Sequence, residues 1–279
     1  MDQKKLIHET EWDLLVVLDE CRYDCFEKNY GDFLNGELDS IVSMRSGTGG
    51  FFKSVFTEDY HDTIYVSGNP VVNSKGIGAF GTPPLDAHEK FYEVVDVWDF
   101  AWDEELDVTL PEDVTEAALE WKEKYPGKKI IVHYLQPHEP YIPILRKDDE
   151  GVGSDRGSTK FNKYIGTKIF KFFKKATDYL PESFSTKIIN NDFLRRIGIK
   201  YFGLTPRFPE DLAKTRGIEA LHKAYEENLR LALREVRNLV DSLSEEEEII
   251  ITADHGEALG GDEGFGHRRM EVPWFEVKR

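Results

Sequence analysis

The sequence predicts an α/β protein: a mostly parallel sheet with helices on both faces. Short apolar and β-branched runs recur along the chain, LLVVL at 14–18, TIYV at 63–66, KIIVHYL at 129–135 and IIIT at 249–252. Such runs read as strands buried on both faces. Segments of helical periodicity separate them, the alternation that joins parallel strands by crossover helices. The runs end in chemically capable side chains, and in open α/β sheets ligands bind at the carboxyl ends of the strands.

Length and composition bound the rest. The 279 residues suit one large domain, 1–279, carrying an insertion. A formal charge of −17 argues against a nucleic-acid binder. Cys21 and Cys25 do not make a disulfide framework and read as reduced thiols. The sequence has neither an apolar run of the roughly 18 residues that span a bilayer nor an apolar signal core at its start. The expectation is a cytoplasmic protein without a transmembrane segment.

In chain order, Trp12–Leu18 is a strand that ends in Asp19-Glu20-Cys21-Arg22-Tyr23-Asp24, with a helix following to about Tyr30. Residues 41–44 form a short strand, Arg45-Ser-Gly-Thr-Gly-Gly50 a glycine-rich loop, and a helix runs from there through Val55. The strand at 63–66 ends in Ser67-Gly-Asn-Pro70, and residues 71–90, rich in Gly, Pro and Asn, read as loop. Residues 91–98 alternate as a strand does. Proline followed by acids at 111–113 opens a helix to Lys124. The strand at 129–135 ends in Gln136-Pro-His-Glu-Pro140. Ile218, Leu221, Tyr225, Leu229, Ala232, Val236 and Val240 predict one long amphipathic helix over about 209–243. It leads into the strand at 249, and residues 272–277 form a terminal strand.

Residues 151–210 stand apart. They hold twelve Lys and Arg against five Asp and Glu, with Phe161, Tyr164, Phe170, Phe172, Phe173 and Tyr179 among the lysines. Three readings stay open: a helical subdomain with a solvated basic face, a lid over the strand ends that attracts an anionic substrate, or a peripheral contact with anionic lipid headgroups.

Asp254 and His255 follow the strand at 249, and can both reach one metal ion if the chain turns sharply, which Gly256 permits. Asp19, the Ser46/Thr48 loop, His133 and His138, and His267 stand at or near other strand ends, so one sheet edge gathers them all. Carboxylate and imidazole donors suit Zn²⁺ or Mn²⁺, and an all-oxygen set would suit Ca²⁺ or Mg²⁺. A divalent ion activates a hydroxyl and stabilises charge on a phosphoryl or sulfuryl oxygen. The loop lacks the lysine of a phosphate-binding P-loop, which excludes that form of nucleotide site. Other roles stay open: Asp19 as a helix cap, His133 as a core histidine, Arg22 with Asp24 as a local pair, and Glu257 as a support that orients His255. His8, His61, His88 and His222 read as surface or packing residues.

The segments LLVVLDECRYD (14–24), Ser46-Gly-Thr48, VHYLQPHEPY (132–141), IITADHGE (250–257) and GFGHRRMEVPWFEV (264–277) together resemble the alkaline phosphatase/sulfatase superfamily, in particular its archaeal sulfatase-like members. The resemblance implies that Asp19, Thr48, Asp254 and His255 hold a divalent metal, with Thr48 also the nucleophile. It implies that His138 contacts the transferred or leaving group, and that His267 contacts a substrate oxygen or a second metal. Glu20 is a possible extra ligand, and Ser46 competes with Thr48 as nucleophile. Neither cysteine stands in the Cys-x-Pro-x-Arg setting of formylglycine sulfatases. His133 stands where a two-metal site needs a carboxylate, so one ion is expected. The implied activity is hydrolysis of phosphate or sulfate esters by way of a threonine. The alternatives are a phosphoglycerol- or phosphoethanolamine-type transferase acting on a glycan or lipid, and a catalytically silent protein that binds anionic glycans.

Overall fold

A computed structural model describes residues 2–150, 208–267 and 271–279. The inserted segment expected over 151–210 lies outside the described residues, apart from its last three positions.

Seven strands form one sheet: β1 (Leu14–Asp19), β2 (Gly36–Val42), β3 (Tyr60–Ser67), β4 (Phe91–Asp96), β7 (Lys129–Pro137), β8 (Ile249–Ala253) and β11 (Glu271–Val277). Their order is β2-β11-β8-β1-β7-β3-β4. β1 pairs in parallel with β7 and β8, and β3 in parallel with β4 and β7, while β11 runs antiparallel to both its neighbours. The fold is therefore the α/β class read from the sequence. Two short hairpins accompany the sheet, β5 (Trp102–Asp103) with β6 (Val108–Thr109), and β9 (Ala258–Leu259) with β10 (Phe265–Gly266).

The described helices are α1 (Gln3–Glu9), α2 (Tyr23–Asn29), α3 (Thr48–Val55), α4 (Ala87–Lys90), α5 (Val97–Phe100), α6 (Pro111–Lys124), α7 (Ile142–Glu150), α8 (Pro209–Arg216) and α9 (Ile218–Asp241). The main core unites β1, β7 and β8 with the buried sides of α3, α6 and α9, including Phe51, Phe52, Val114, Leu229, Leu233 and Val236. β1 is buried at every position, as a central parallel strand should be.

The structure redraws four boundaries. β2 covers 36–42 rather than 41–44, because it zips along β11 from Gly36 opposite Val277 to Val42 opposite Glu271. Apart from Leu38, its first five residues are glycine or polar, as suits an edge strand. The strand expected over 91–98 stops at Asp96, and α5 follows. The single helix expected over 209–243 is two, broken where Gly217 takes φ 90, a conformation that favours glycine. Pro209 and Glu210, expected within the insertion, open α8, whose Leu212 packs with Tyr141, Leu221 and Tyr225.

Candidate metal centre

Three adjacent strands, β7, β1 and β8, deliver the site from their carboxyl ends. The alternation of side chains along β1 breaks at Glu20, which takes φ 61. In a regular strand Asp19 and Glu20 would point to opposite faces. The left-handed turn, unusual and costly for a non-glycine residue, lets both carboxylates serve the same sheet edge. Gly256, expected to make the sharp turn, is not among the glycines of positive φ.

The deep part of the site gathers around Asp254. Its Oδ1 accepts the backbone N–H of Glu20 at 3.1 Å and of His255 at 2.8 Å. Its Oδ2 accepts the Thr48 hydroxyl at 2.7 Å. His255 Nε2 stands 3.4 Å from that Oδ2 and 3.5 Å from Asp19 Oδ1. His133 Nε2 lies 4.0 Å from Asp254 Oδ2, while its Nδ1 meets the Tyr65 hydroxyl at 2.8 Å. Thr48 is the first residue of α3 and only 7% exposed. Gly47 precedes it at φ 96, and a Cβ on Gly49 would sit 2.4 Å from Thr82 Cγ2. The loop thus needs glycine on both sides of the threonine. Ser46 is exposed.

The outer part centres on Glu20. Its Oε1 is 3.0 Å from His267 Nδ1 and 3.4 Å from His138 Nε2. His138 Nδ1 lies 3.8 Å from Glu139 Oε2. His267 Nδ1 and His255 Nδ1 are 3.5 Å apart and join the two parts. Glu257 is buried, and its Oε1 accepts the N–H of Gly266 at 2.9 Å. It therefore braces the hairpin that leads to His267 rather than the ring of His255. Arg22 and Asp24 form the local pair expected, with hydrogen bonds of 2.9 and 2.6 Å.

Burial and mutual repulsion shape the charges. Burial, then the neighbouring Asp254, raises the Asp19 carboxyl well above its usual range. Glu20 is raised by burial and by Glu139 and Glu257. Glu257 is pushed up to about 8, chiefly by burial and then by Glu139. Burial also acts against Asp254, but His255, His133 and the hydrogen bonds from Thr48 and Glu20 outweigh it and hold this carboxyl low. Burial lowers His133 and His267 to about 4.

The residues fit a divalent cation. Asp19 Oδ1, His133 Nε2 and His255 Nε2 are buried without a hydrogen-bond partner among the described residues. Buried carboxylates that repel one another and lone pairs left unmet are what a cation satisfies. Three groups each bring ligand atoms within 4.8 Å of one another: Asp19, His133 and Asp254; Glu20, His255 and His267; and Glu20, His138 and Glu139, the last two sharing Glu20.

Three contributors lie outside the residues singled out in the sequence. Asn69 is buried beside the deep part. Its Nδ2 donates to Asp19 Oδ2 at 2.6 Å and to Thr48 Oγ1 at 3.3 Å, and its Oδ1 accepts Val71 N–H at 2.8 Å. The sequence places Asn69 at a strand end, in Ser67-Gly-Asn69-Pro70, but only the pairing of that strand with β7 brings it to the site. Glu139 sits inside the Pro-His-Glu-Pro stretch but reads as an ordinary loop acid. Tyr65 lies mid-strand, where only pairing of β3 with β7 reveals that it meets His133.

No protein-family model matches the chain, and no curated protein matches it. Among solved structures it is similar to the lipooligosaccharide phosphoethanolamine transferase A of Neisseria meningitidis, at 14% identity and TM-score 0.49 over 96% of this chain and 48% of that one. It is also similar to a phosphonate monoester hydrolase of Silicibacter pomeroyi, at 15% identity and TM-score 0.49 over 96% of this chain and 68% of that one. A third likeness is to a 2-O GAG sulfatase, at 14% identity and TM-score 0.47 over 96% of this chain and 65% of that one. The chain spans about half the length of the transferase.

Proposed function

We propose that this chain is a metal-dependent enzyme acting on anionic phosphate or sulfate esters, with Thr48 as its nucleophile. The reading is carried by the Thr48 hydroxyl. It stands at the start of a helix, 2.7 Å from Asp254 Oδ2, beside the unmet atoms Asp19 Oδ1 and His255 Nε2. Asp19, Asp254, His255 and Thr48 would hold the ion, and His133 lies close enough to take part. His133 would present a lone pair at Nε2 when Nδ1–H donates to the Tyr65 oxygen. The carboxylate and imidazole donors favour Zn²⁺ or Mn²⁺ over Mg²⁺ or Ca²⁺. A bound divalent ion lowers the pKa of a hydroxyl and stabilises charge on phosphoryl or sulfuryl oxygens.

The chain's own groups would then act in order. Thr48 loses its proton toward Asp254 Oδ2 and its oxygen bonds to phosphorus or sulfur. The bond to the leaving oxygen breaks, and His138 supplies that oxygen with a proton, while His267 contacts a substrate oxygen. Water or an acceptor alcohol attacks the threonyl ester and gives its proton to His138, and the departing Thr48 oxygen takes its proton back from Asp254 Oδ2. The N-terminus of α3 adds partial positive charge where the transferred group would sit.

A second reading, with a second ion, is favoured by one observation: Glu20, His138 and Glu139 also bring ligand atoms within 4.8 Å of one another. The substrate would be a small-molecule, glycan or lipid-headgroup ester. Elemental analysis for bound metal decides between one and two ions. Turnover of p-nitrophenyl phosphate and p-nitrophenyl sulfate, with each of the four ions and with added acceptor alcohols, tests the reaction. Metal-dependent turnover lost in Thr48→Ala is the expected result, and acceptor dependence would identify a transferase. No metal and no turnover with any ion would refute the proposal in favour of a silent anion-binding protein.

A further inference from the structure

The outer part of the site is assembled on one face of α9. Tyr225 and Asn228, three apart and hence neighbours on a helix surface, are both buried. The Tyr225 hydroxyl donates to the carbonyl oxygen of Glu20 at 2.6 Å and accepts the N–H of Arg22 at 2.9 Å. It therefore clamps both sides of the left-handed turn that aims Glu20. Asn228 Nδ2 donates to the carbonyls of Pro137 at 3.1 Å and His138 at 3.0 Å, and its Oδ1 accepts the N–H of Ile142 at 3.1 Å. It fixes the backbone of the loop that carries His138 and Glu139. These two loops face each other through Glu20 Oε1 and His138 Nε2.

We infer that Tyr225 and Asn228 are positioning residues for the proposed reaction, setting the Glu20–His138 pair from the far side of the loops. Neither touches the reacting atoms. The hydrogen bonds of both side chains go to the backbone of the site loops and of Ile142 just beyond them, which a purely structural helix–sheet contact does not need. A strained residue persists only where its surroundings over-determine it. Here Asp254 holds the N–H of Glu20 and Tyr225 holds its carbonyl, so the turn is pinned at both ends. The deep part depends on α3 and Asn69 instead and should be insensitive to the helix.

The inference rests on the function proposed above for its kinetic consequence, but its geometry can be tested separately. Tyr225→Phe and Asn228→Ala are compared with Val236→Ala, a buried position of α9 in the main core, as a control for lost stability. Hydrogen exchange followed by mass spectrometry should show faster exchange over 20–24 in Tyr225→Phe and over 137–142 in Asn228→Ala, with residues 46–55 unchanged. Each variant should lose about 10-fold or more in kcat, without a matching loss at Val236→Ala. Tyr225→Phe should cost nothing further in a Glu20→Gln background. The inference is overturned if exchange and turnover follow melting temperature alone in all three variants, or if the Tyr225 effect persists undiminished beside Glu20→Gln. If the unaltered protein neither binds metal nor turns over an ester, the proposed reaction fails, and uniform or absent exchange changes still overturn the positioning role.

Discussion

Replacing Asn69 with leucine tests the deep part of the site most directly. The change keeps much of the side-chain volume and removes three hydrogen bonds, to Asp19 Oδ2, Thr48 Oγ1 and Val71 N–H. The bond to Asp19 ends on a carboxyl that burial and Asp254 hold toward its neutral form, and a neutral hydrogen bond contributes about 0.5–1.5 kcal/mol. The Val71 N–H is left buried without an acceptor, which costs about 1–3 kcal/mol. Together these predict a loss of roughly 1.5–4.5 kcal/mol, or on the order of 10 °C in melting temperature for a domain of this size. A second effect is independent of the first. Asn69 occupies Oδ2 of Asp19 and leaves Oδ1 to face the site. Losing that restraint should weaken ion binding by about 10–100-fold, or roughly 1.4–2.7 kcal/mol. Differential scanning calorimetry of the metal-stripped protein reads the first effect, and titration calorimetry with Zn²⁺ and Mn²⁺ reads the second. Wild-type ion affinity in a folded Asn69→Leu protein would refute the assignment of Asn69 as the residue that orients Asp19.

Other consequences can be checked alongside. Thr48→Ala should lower kcat on the order of 10³-fold or more, whereas Thr48→Ser keeps a hydroxyl and measurable turnover; equal activity of Thr48→Ala and wild type in a steady-state assay would exclude the threonine mechanism. Asp19 and Glu20, raised by burial and by neighbouring carboxylates, carry protons in the metal-free protein at lower pH. A metal needs them ionised, so uptake should release protons and affinity should rise with pH. Titration calorimetry in buffers of different ionisation enthalpy measures the release, and a buffer-independent heat would contradict it. Phe80 is 64% exposed and takes φ 48 in the turn closed by Ala79 and Thr82. Phe80→Gly removes the left-handed penalty and should stabilise the protein by up to about 1 kcal/mol; chemical denaturation showing a loss would contradict this.

Much of the arrangement was legible in the sequence because buried parallel strands write themselves as short apolar runs. Those runs at 14, 63, 129 and 249 located β1, β3, β7 and β8, and their ends located Asp19, His133, His138, Asp254 and His255. The structure brings these together with Thr48 and His267, and leaves Ser46 exposed. What escaped depends on pairing between distant segments. Asn69 is a common loop residue until β3 is placed two strands from β1. Tyr225 and Asn228 fit the apolar stripe of a helix or interrupt it, and nothing local says that their polar atoms reach the site loops. β2 was misplaced because an edge strand that gains its order by zipping along β11 needs no apolar run of its own. The break at Gly217 was hidden because the apolar pattern continues across it.

The placement of the proposed deep ligands on β1 and β7 and just past the end of β8 has a consequence for how an ion and the fold would depend on each other. These strands run through the middle of the sheet and are held by backbone ladders on both sides. Their order arises from apolar burial and does not wait for a cation. In small zinc-dependent domains, by contrast, binding and folding are one event. Here stripping the ion with a chelator should leave a folded protein with intact aromatic packing. Adding the ion back would raise its melting temperature only by mass action, in step with free ion concentration. On the proposed function, the chain would thus shape an empty coordination sphere first and fill it afterwards.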